Sequence, residues 1–312
     1  MGDACGFCGG EVVITRQRIG PQEEFVKQTC KSCKGVSHLR HLLPVAPAER
    51  EPNGVDFMVR SRYGFLPTSV WHEDKNSALM AYVSDKLRGS ETGGNPLSEF
   101  NPTVADHILR YWSEPNDWVL DPFAGRTRAL IAKTLGRNYV GFEISPTAHA
   151  QICARLNGQK VLIRNDSTQV VFNRDCRCMD ELKGKREFDL VFSCPPYFDV
   201  EVYDEVPGEL SHSGSYEKFL AEYEKIIAQA AALLKPGKFA VWVVNDWRRD
   251  GRWFDFHGDS IRAWLKAGLV QHDVVINVLD SASRMGIGSI ALTKNVAKMH
   301  EYILIFRKPE AV

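Results

Sequence analysis

The spacing of apolar residues predicts alternating strands and helices from residue 101 onward. Val104, Ile108, Leu109 and Trp112 share one helical face, with Asn101 as N-cap and Pro102 in the first helical position. Residues 118–120 read as a strand, 128–135 as part of a helix and 139–142 as a second strand. Further strands are expected at 161–163, 190–192, 239–244, 274–278 and 302–306, with helices at 216–234 and 260–267. Strands alternating with helices predict an α/β fold, a doubly wound and mainly parallel sheet.

The first hundred residues follow another pattern. Residues 11–15 and 24–28 read as the two strands of a hairpin flanked by paired cysteines, Cys5-x-x-Cys8 and Cys30-x-x-Cys33. Two such pairs are the usual ligand set of tetrahedral zinc, and Gly9, Gly10 and Gly35 supply the flexible turns. A redox dithiol and loose surface cysteines are the alternatives. The zinc reading makes Cys5, Cys8, Cys30 and Cys33 structural ligands in a zinc-ribbon-like segment, residues 1–45. The stretch LLPVAPAEREPNGVDF, with three prolines, reads as irregular chain. It opens a linker and N-terminal extension, residues 46–100, before the α/β domain at 101–312.

Composition narrows the classes. Of 312 residues, 44% are hydrophobic and 25% charged, with a formal net charge of zero. That excludes a strongly basic nucleic-acid coat, so a polyanion would have to meet local patches. There is no apolar run of transmembrane length and no signal-peptide pattern at Met1-Gly2-Asp3. The expectation is a soluble, cytoplasmic protein with no membrane partner.

In open α/β sheets, ligands sit beyond the carboxyl ends of the strands. The first strand runs into Asp121-Pro122-Phe123-Ala124-Gly125-Arg126-Thr127, where a glycine lets backbone approach a ligand. Glu143 ends the second strand, placed for a ribose diol. Asp166-Ser167 follows the expected third strand, and Cys194-Pro195-Pro196-Tyr197 follows the fourth. Singly, each is an ordinary turn or strand end. Their joint order is what carries information.

These loops resemble those of the S-adenosylmethionine-dependent DNA methyltransferases that act on exocyclic amino groups, the N6-adenine and N4-cytosine enzymes. DPFAG, then GRNYVGFEIS, resembles the cofactor motif and the acid after it; PPY resembles the catalytic motif; KMHEYILIFRK resembles the last strand. The resemblance covers about Asn101 to Lys308. It implies a Rossmann-like methyltransferase domain in which Asp121, Phe123 and Gly125 line the methionine end of S-adenosylmethionine. Asn101 would lie near its carboxylate, Glu143 on the ribose and Asp166 by the adenine. Cys194, Pro195, Pro196 and Tyr197 would form the catalytic wall.

That wall has a physical reason. An exocyclic amine is a poor nucleophile, because its lone pair is delocalised into the ring. The site acts largely by orienting it. A polar side chain and a prolyl carbonyl can accept the amine's hydrogens, and Pro-Pro stiffens that carbonyl. Tyr197 offers a ring to a base extruded from the duplex, with Phe198 as support. The chain departs from the family at two positions. Cys194 stands where Asp, Asn or Ser is usual, and Thr127 replaces a glycine, which suggests an altered turn with Arg126 and Arg128 near the pocket mouth. A Cys194 nucleophile acting on a pyrimidine ring is the less favoured chemistry. Arg248, Arg249, Arg252, Arg284, Lys294 and Lys298 are basic candidates for a DNA backbone. Adenine and cytosine both stay open. The alternatives to DNA base methylation are an RNA or nucleotide methyltransferase and a non-catalytic nucleic-acid-binding protein.

Overall fold

The computed structural model describes residues 62–72, 100–158, 166–198, 200, 206–279 and 293–310, together with three strands nearer the N-terminus. Those three, β1 (Val12–Arg18), β2 (Glu23–Cys30) and β3 (Val36–Leu42), form an antiparallel sheet in the order β1-β2-β3. The expected hairpin is its first two strands, and β3 was not foreseen. Cys5, Cys8 and Cys33 lie outside the described residues, and Cys30 is described only as the last residue of β2.

The remaining strands are β4 (Val70–His72), β5 (Trp118–Asp121), β6 (Asn138–Phe142), β7 (Gln169–Phe172), β8 (Phe188–Ser193), β9 (Leu234–Val244), β10 (Trp247–Arg249), β11 (Arg252–Phe254), β12 (Val270–Val278) and β13 (His300–Arg307). Among the described residues, β10 and β11 make a separate hairpin, and the others form one sheet in the order β4-β12-β13-β9-β8-β5-β6-β7. From β9 to β7 the strands are parallel. β13 runs antiparallel to both its neighbours, β9 and β12. The doubly wound sheet is present, with one reversed strand inserted in it. β4, from within residues 46–100, pairs in parallel with β12.

Helices α1 (Pro102–Trp112), α2 (Arg128–Thr134), α3 (Pro146–Gly158), α4 (Tyr216–Leu233) and α5 (Phe256–Lys266) cover the two faces. Alternation along the central strands divides the core between them. Trp242, Val244, Leu304 and Phe306 face Phe219, Tyr223 and Trp264 of α4 and α5. Val241, Val243, Ile303 and Ile305 face the opposite way, toward Ile108, Leu109, Ile131 and Ile152 of α1, α2 and α3. β8 is buried at every position, as expected of a strand covered on both faces. At its amino end Asp189 accepts hydrogen bonds from the Trp118 amide at 3.1 Å and Lys235 Nζ at 2.7 Å, tying β8 to β5 and β9.

α1 starts as the sequence predicts. The Asn101 side chain accepts from the amides of Thr103 at 2.8 Å and Val104 at 3.4 Å. The strand expected at 161–163 lies outside the described residues. The third parallel strand is β7, and it starts after Asp166 instead of ending before it. No helix among the described residues is long and apolar enough to cross a membrane.

Candidate active site

The chain leaves β5 toward β6 on one side, while β8 pairs on the other. This is the switch point of the sheet, where a crevice opens beyond the carboxyl ends of the strands. β5 delivers Asp121 there, and β8 delivers Ser193 and Cys194.

Asp121 is completely buried and is the hub of the loop. Its carboxylate accepts from Arg128 Nε at 2.6 Å, Tyr139 Oη at 2.7 Å, the Phe123 amide at 3.2 Å and the Ser193 hydroxyl. Ser193 Oγ in turn accepts from the Phe123 amide at 3.2 Å. The loop after β5 and the strand leading into Cys194-Pro195-Pro196-Tyr197 are therefore bonded to each other. Arg128 also donates to the Phe123 carbonyl, and its guanidinium lies 5.1 Å from the Phe100 ring centre. Burial works against the charge on Arg128, but Asp121, with Tyr139 and Cys194, outweighs it and holds the pKa above the ordinary value. Burial and the neighbouring Asp121 push the Tyr139 phenol well up, so both donors stay protonated.

Arg128 is thus not at the pocket mouth, where the sequence suggested it. With 3% exposure it serves as a structural counterion inside the turn. Arg126 donates to Gln151 Oε1 at 3.1 Å. Gly125 is explained by the same Arg128 guanidinium, because a Cβ there would come within 3.1 Å of both its terminal nitrogens. Thr127 has φ −93° and ψ −45°, so the position usually held by glycine does not need one.

Glu143 follows β6 directly, and its carboxylate accepts from the Ser145 amide at 2.9 Å. Asp166 lies elsewhere. It precedes β7, on the side of the amino ends of the parallel strands, and is exposed. The acid beyond the carboxyl end of β7 is Asp175, which accepts from the Arg177 amide at 2.9 Å and from its guanidinium. The neighbouring Asn173 donates to the carbonyls of Glu143 and Ile144.

At the other end of the crevice, Cys194 Sγ is 3.7 Å from Tyr197 Oη. The Tyr197 carbonyl accepts from the Val200 amide at 2.9 Å, closing a turn in which Phe198 has φ 44°. A positive φ at an aromatic residue is strained, and such strain gathers at functional sites. The turn sends the two rings to different partners. Phe198 packs on Tyr216 and Phe219, while Tyr197 meets Trp247 at 6.2 Å and Phe256 at 5.9 Å between ring centres.

The sequence reading missed the cluster beyond β9. Asp246, 3% exposed, accepts from the His257 amide and from its Nδ1 at 2.8 Å, and its carbonyl accepts from Lys298. Burial lowers the Lys298 pKa to about 8, only partly offset by Asp246 and Glu301. Asp246, Asp255 and His257 are the one group of potential metal ligands found among the described residues. The β10–β11 hairpin was also missed, although Asp250-Gly251 between aromatic residues is a strong hairpin signal.

A sequence model of N6/N4 methyltransferases, described as DNA methylase, matches residues 60–153 and 188–312. The type II methyltransferase M1.MboII of Moraxella bovis is 32% identical over 83 residues, which is 26% of this chain and 30% of that protein. The type II methyltransferase M.MthZI of Methanothermobacter thermautotrophicus is 27% identical over 161 residues, 46% of this chain and 45% of that one. The chain thus matches less than half the length of either relative. A solved methyltransferase structure from Pyrococcus furiosus is 16% identical and covers 73% of this chain and 93% of that one, with a TM-score of 0.43.

Proposed function

Because the chain belongs to the DNA methylase family of N6/N4 methyltransferases, we propose that it transfers a methyl group from S-adenosylmethionine to the exocyclic amino group of an extruded DNA base, N6 of adenine or N4 of cytosine. The observation that carries the reading is the bonding of Ser193 to both Asp121 and the Phe123 amide, because it holds a cofactor-type loop and a catalytic-type loop on one crevice.

The residues fit the cofactor. Glu143 offers a carboxylate at the end of β6, suited to a ribose diol, and Thr127 keeps a buried hydroxyl with no protein partner among the described residues. When bound, S-adenosylmethionine supplies an electrophilic methyl group. Phe123 and Gly125 line its methionine end in this reading, with Asn101 near the carboxylate. The acid by the adenine is then Asp175 in place of Asp166. We take the α/β unit to be the catalytic part of the chain, with β4 contributed from the segment before residue 101.

The wall orients the nucleophile. The Pro195 carbonyl and the Cys194 sulfur accept hydrogens of the base amine, turning its lone pair toward the methyl carbon. The new bond is nitrogen to carbon, the sulfur–carbon bond breaks, and the extra proton leaves the amine for solvent. Tyr197, fixed by Trp247 and Phe256, gives the base a ring to stack on. No covalent bond to Cys194 is needed.

Labelled methyl transfer to DNA and to RNA, followed by nucleoside analysis, tests the reading. The expected products are N6-methyladenine or N4-methylcytosine in DNA. Transfer to RNA alone, or no transfer with intact DNA binding, would overturn it. Cys194→Ser should keep activity or raise it, since a hydroxyl is the better hydrogen-bonding group. A dead Cys194→Ser enzyme whose wild type makes 5-methylcytosine would instead mean carbon methylation through a thiolate.

We also propose that Cys5, Cys8, Cys30 and Cys33 hold one structural zinc. Val12, four residues beyond Cys8, pairs with Cys30, so the register draws the chain after one cysteine pair to the start of the other. Metal analysis of the purified protein should give about one zinc per chain. A metal-free protein with an intact β1–β3 sheet would end the idea.

A further inference from the structure

The turn after β9 leads straight into the β10–β11 hairpin, WRRDGRWF, and that hairpin has two unlike faces. Directly opposed residues of an antiparallel pair share a face, and successive pairs alternate. Trp247 opposes Phe254, Arg248 opposes Trp253, and Arg249 opposes Arg252. The first pair faces inward. Trp247 and Phe254 stack at 5.1 Å with 7° between their planes, and Trp247 lies beside Tyr197. The second pair faces away and is exposed, with Trp253 42% accessible. Arg248 and Lys298 approach the Trp253 ring centre to 5.2 and 5.4 Å. Arg249 and Arg252, which by the same alternation share the side of Trp247 and Phe254, are exposed at the tip, with Arg252 4.8 Å from the Phe254 ring centre. The tip turns through Asp250 and Gly251, with φ 51° and 77°, which gives a tight two-residue turn and a stiff hairpin.

A tryptophan 42% accessible, with Arg248 and Lys298 beside its ring, places π surface and positive charge together at the surface of the hairpin. It matches single-stranded or distorted nucleic acid, where bases offer flat π faces and the backbone offers phosphates. Lys298 already has Asp246 and Glu301 near it, and the Glu217 carboxyl pKa is lowered first by hydrogen bonds from its own amide and Ser215 and last by Arg252, so the cationic excess lies in the exposed hairpin itself, where Arg248, Arg249 and Arg252 outnumber Asp250.

Resting on the methylation reading above, we propose that this hairpin is the element that grips duplex DNA next to the extruded base. Trp253 stacks on a base exposed by the extrusion, and Arg248, Arg249 and Arg252 hold flanking phosphates. The inner Trp247–Phe254 pair fixes the distance from that grip to Tyr197. Sequence preference at positions flanking the target base would then be set here.

The test is duplex binding by fluorescence anisotropy across a salt series, with an oligonucleotide carrying an abasic site opposite a target base. Arg248→Gln, Arg249→Gln and Arg252→Gln combined should lower the slope of log affinity against log salt by about 2–3, at roughly 0.9 for each phosphate no longer neutralised. Trp253→Ala should weaken binding by roughly tenfold or more, and Trp253→Phe should restore most of it. Binding of S-adenosylhomocysteine should stay unchanged in every variant, which also reports on folding. The arginine variant leaves the aromatic packing in place, so it tests the surface even if Trp253→Ala unfolds. Wild-type protein that binds and methylates DNA, with an unchanged salt slope in the arginine variant, would overturn the hairpin proposal alone. Wild-type protein that neither binds nor methylates DNA would overturn the functional reading and the hairpin with it. Variants that weaken RNA binding in a protein preferring RNA would overturn DNA as the partner.

Discussion

The two ends of the crevice are held together by different forces. Around Asp121 the structure is a closed polar network, in which one buried carboxylate gathers Arg128, Tyr139, Ser193 and a backbone amide. Around Tyr197 it is an aromatic cluster of Trp247, Phe254 and Phe256, in which Phe256 meets the Tyr197 ring edge-on. Polar networks in a dry interior are directional, and each depends on every member being satisfied. Aromatic packing adapts to small shifts while keeping its buried area. The difference suits the two tasks. On the proposed reading, the Asp121 end would hold one small molecule in one pose, whereas the Tyr197 end would receive a large ring that arrives by leaving a helix.

The largest effect that would sharpen this comparison is Asp121→Asn. It strands a buried guanidinium, and breaking such a pair costs about 3–5 kcal/mol of stability. Urea unfolding should show that loss, and adding Arg128→Met should recover part of it. A loss below about 1 kcal/mol, the range of an ordinary hydrogen bond, would show that the polar end is no more rigid than the aromatic one. Next come two site variants that should separate. Tyr197→Ala should remove about 1–3 kcal/mol of base binding and most turnover while sparing cofactor affinity. Glu143→Ala should weaken cofactor binding by about 1.5–3 kcal/mol and spare DNA binding. Calorimetric titration with each ligand reads both, and any variant that weakened the two ligands equally would mean that the ends are not independent.

The smallest effect concerns pH. Lys298 falls from an ordinary pKa of 10.5 to about 8 on folding. Between those values the unfolded chain binds more protons than the folded one, so stability rises with pH there. Compared with Lys298→Met, the wild type should gain stability from about pH 8 toward pH 10.5 and show a constant offset below pH 8. Denaturation midpoints across that range check it, and a flat difference would mean that the ammonium is well hydrated.

Much of the fold was legible because its central strands are apolar runs between clear helical periods. β5, β6, β8, β9, β12 and β13 all lie where those runs predicted, with ends moved by a few residues. β7 was misread for a physical reason. As an edge strand, Gln169–Phe172 is only half-buried throughout, so its apolar signal competes with the run at 161–163. The sequence reading therefore took Asp166 as the acid after the third strand, whereas Asp175 is the acid that follows β7. That the loops after β5 and β8 meet at one place was legible from their order along the chain. What a linear reading could not give was the pairing inside the site. Arg128 looks like any cation near a loop until Asp121 and Tyr139 are seen to surround it. Ser193 looks like the neighbour of the important residue until its hydroxyl is found bridging two loops.

The reversed strand β13 has a consequence for how the protein is made. It lies between β9 and β12, in the interior of the sheet, and supplies Ile303 to Phe306 to both faces of the core. A ribosome that has released everything up to residue 299 has still not delivered the strand that joins the two halves of the sheet. Until then β9 and β12 each present an open edge, and open edges invite pairing with other chains. The sheet therefore closes only after β9 and β12 have both been made and residues 300–307 follow them. The nascent chain would depend on chaperones over that interval, and a premature stop before His300 should yield aggregates or proteolytic fragments in place of a weakened enzyme.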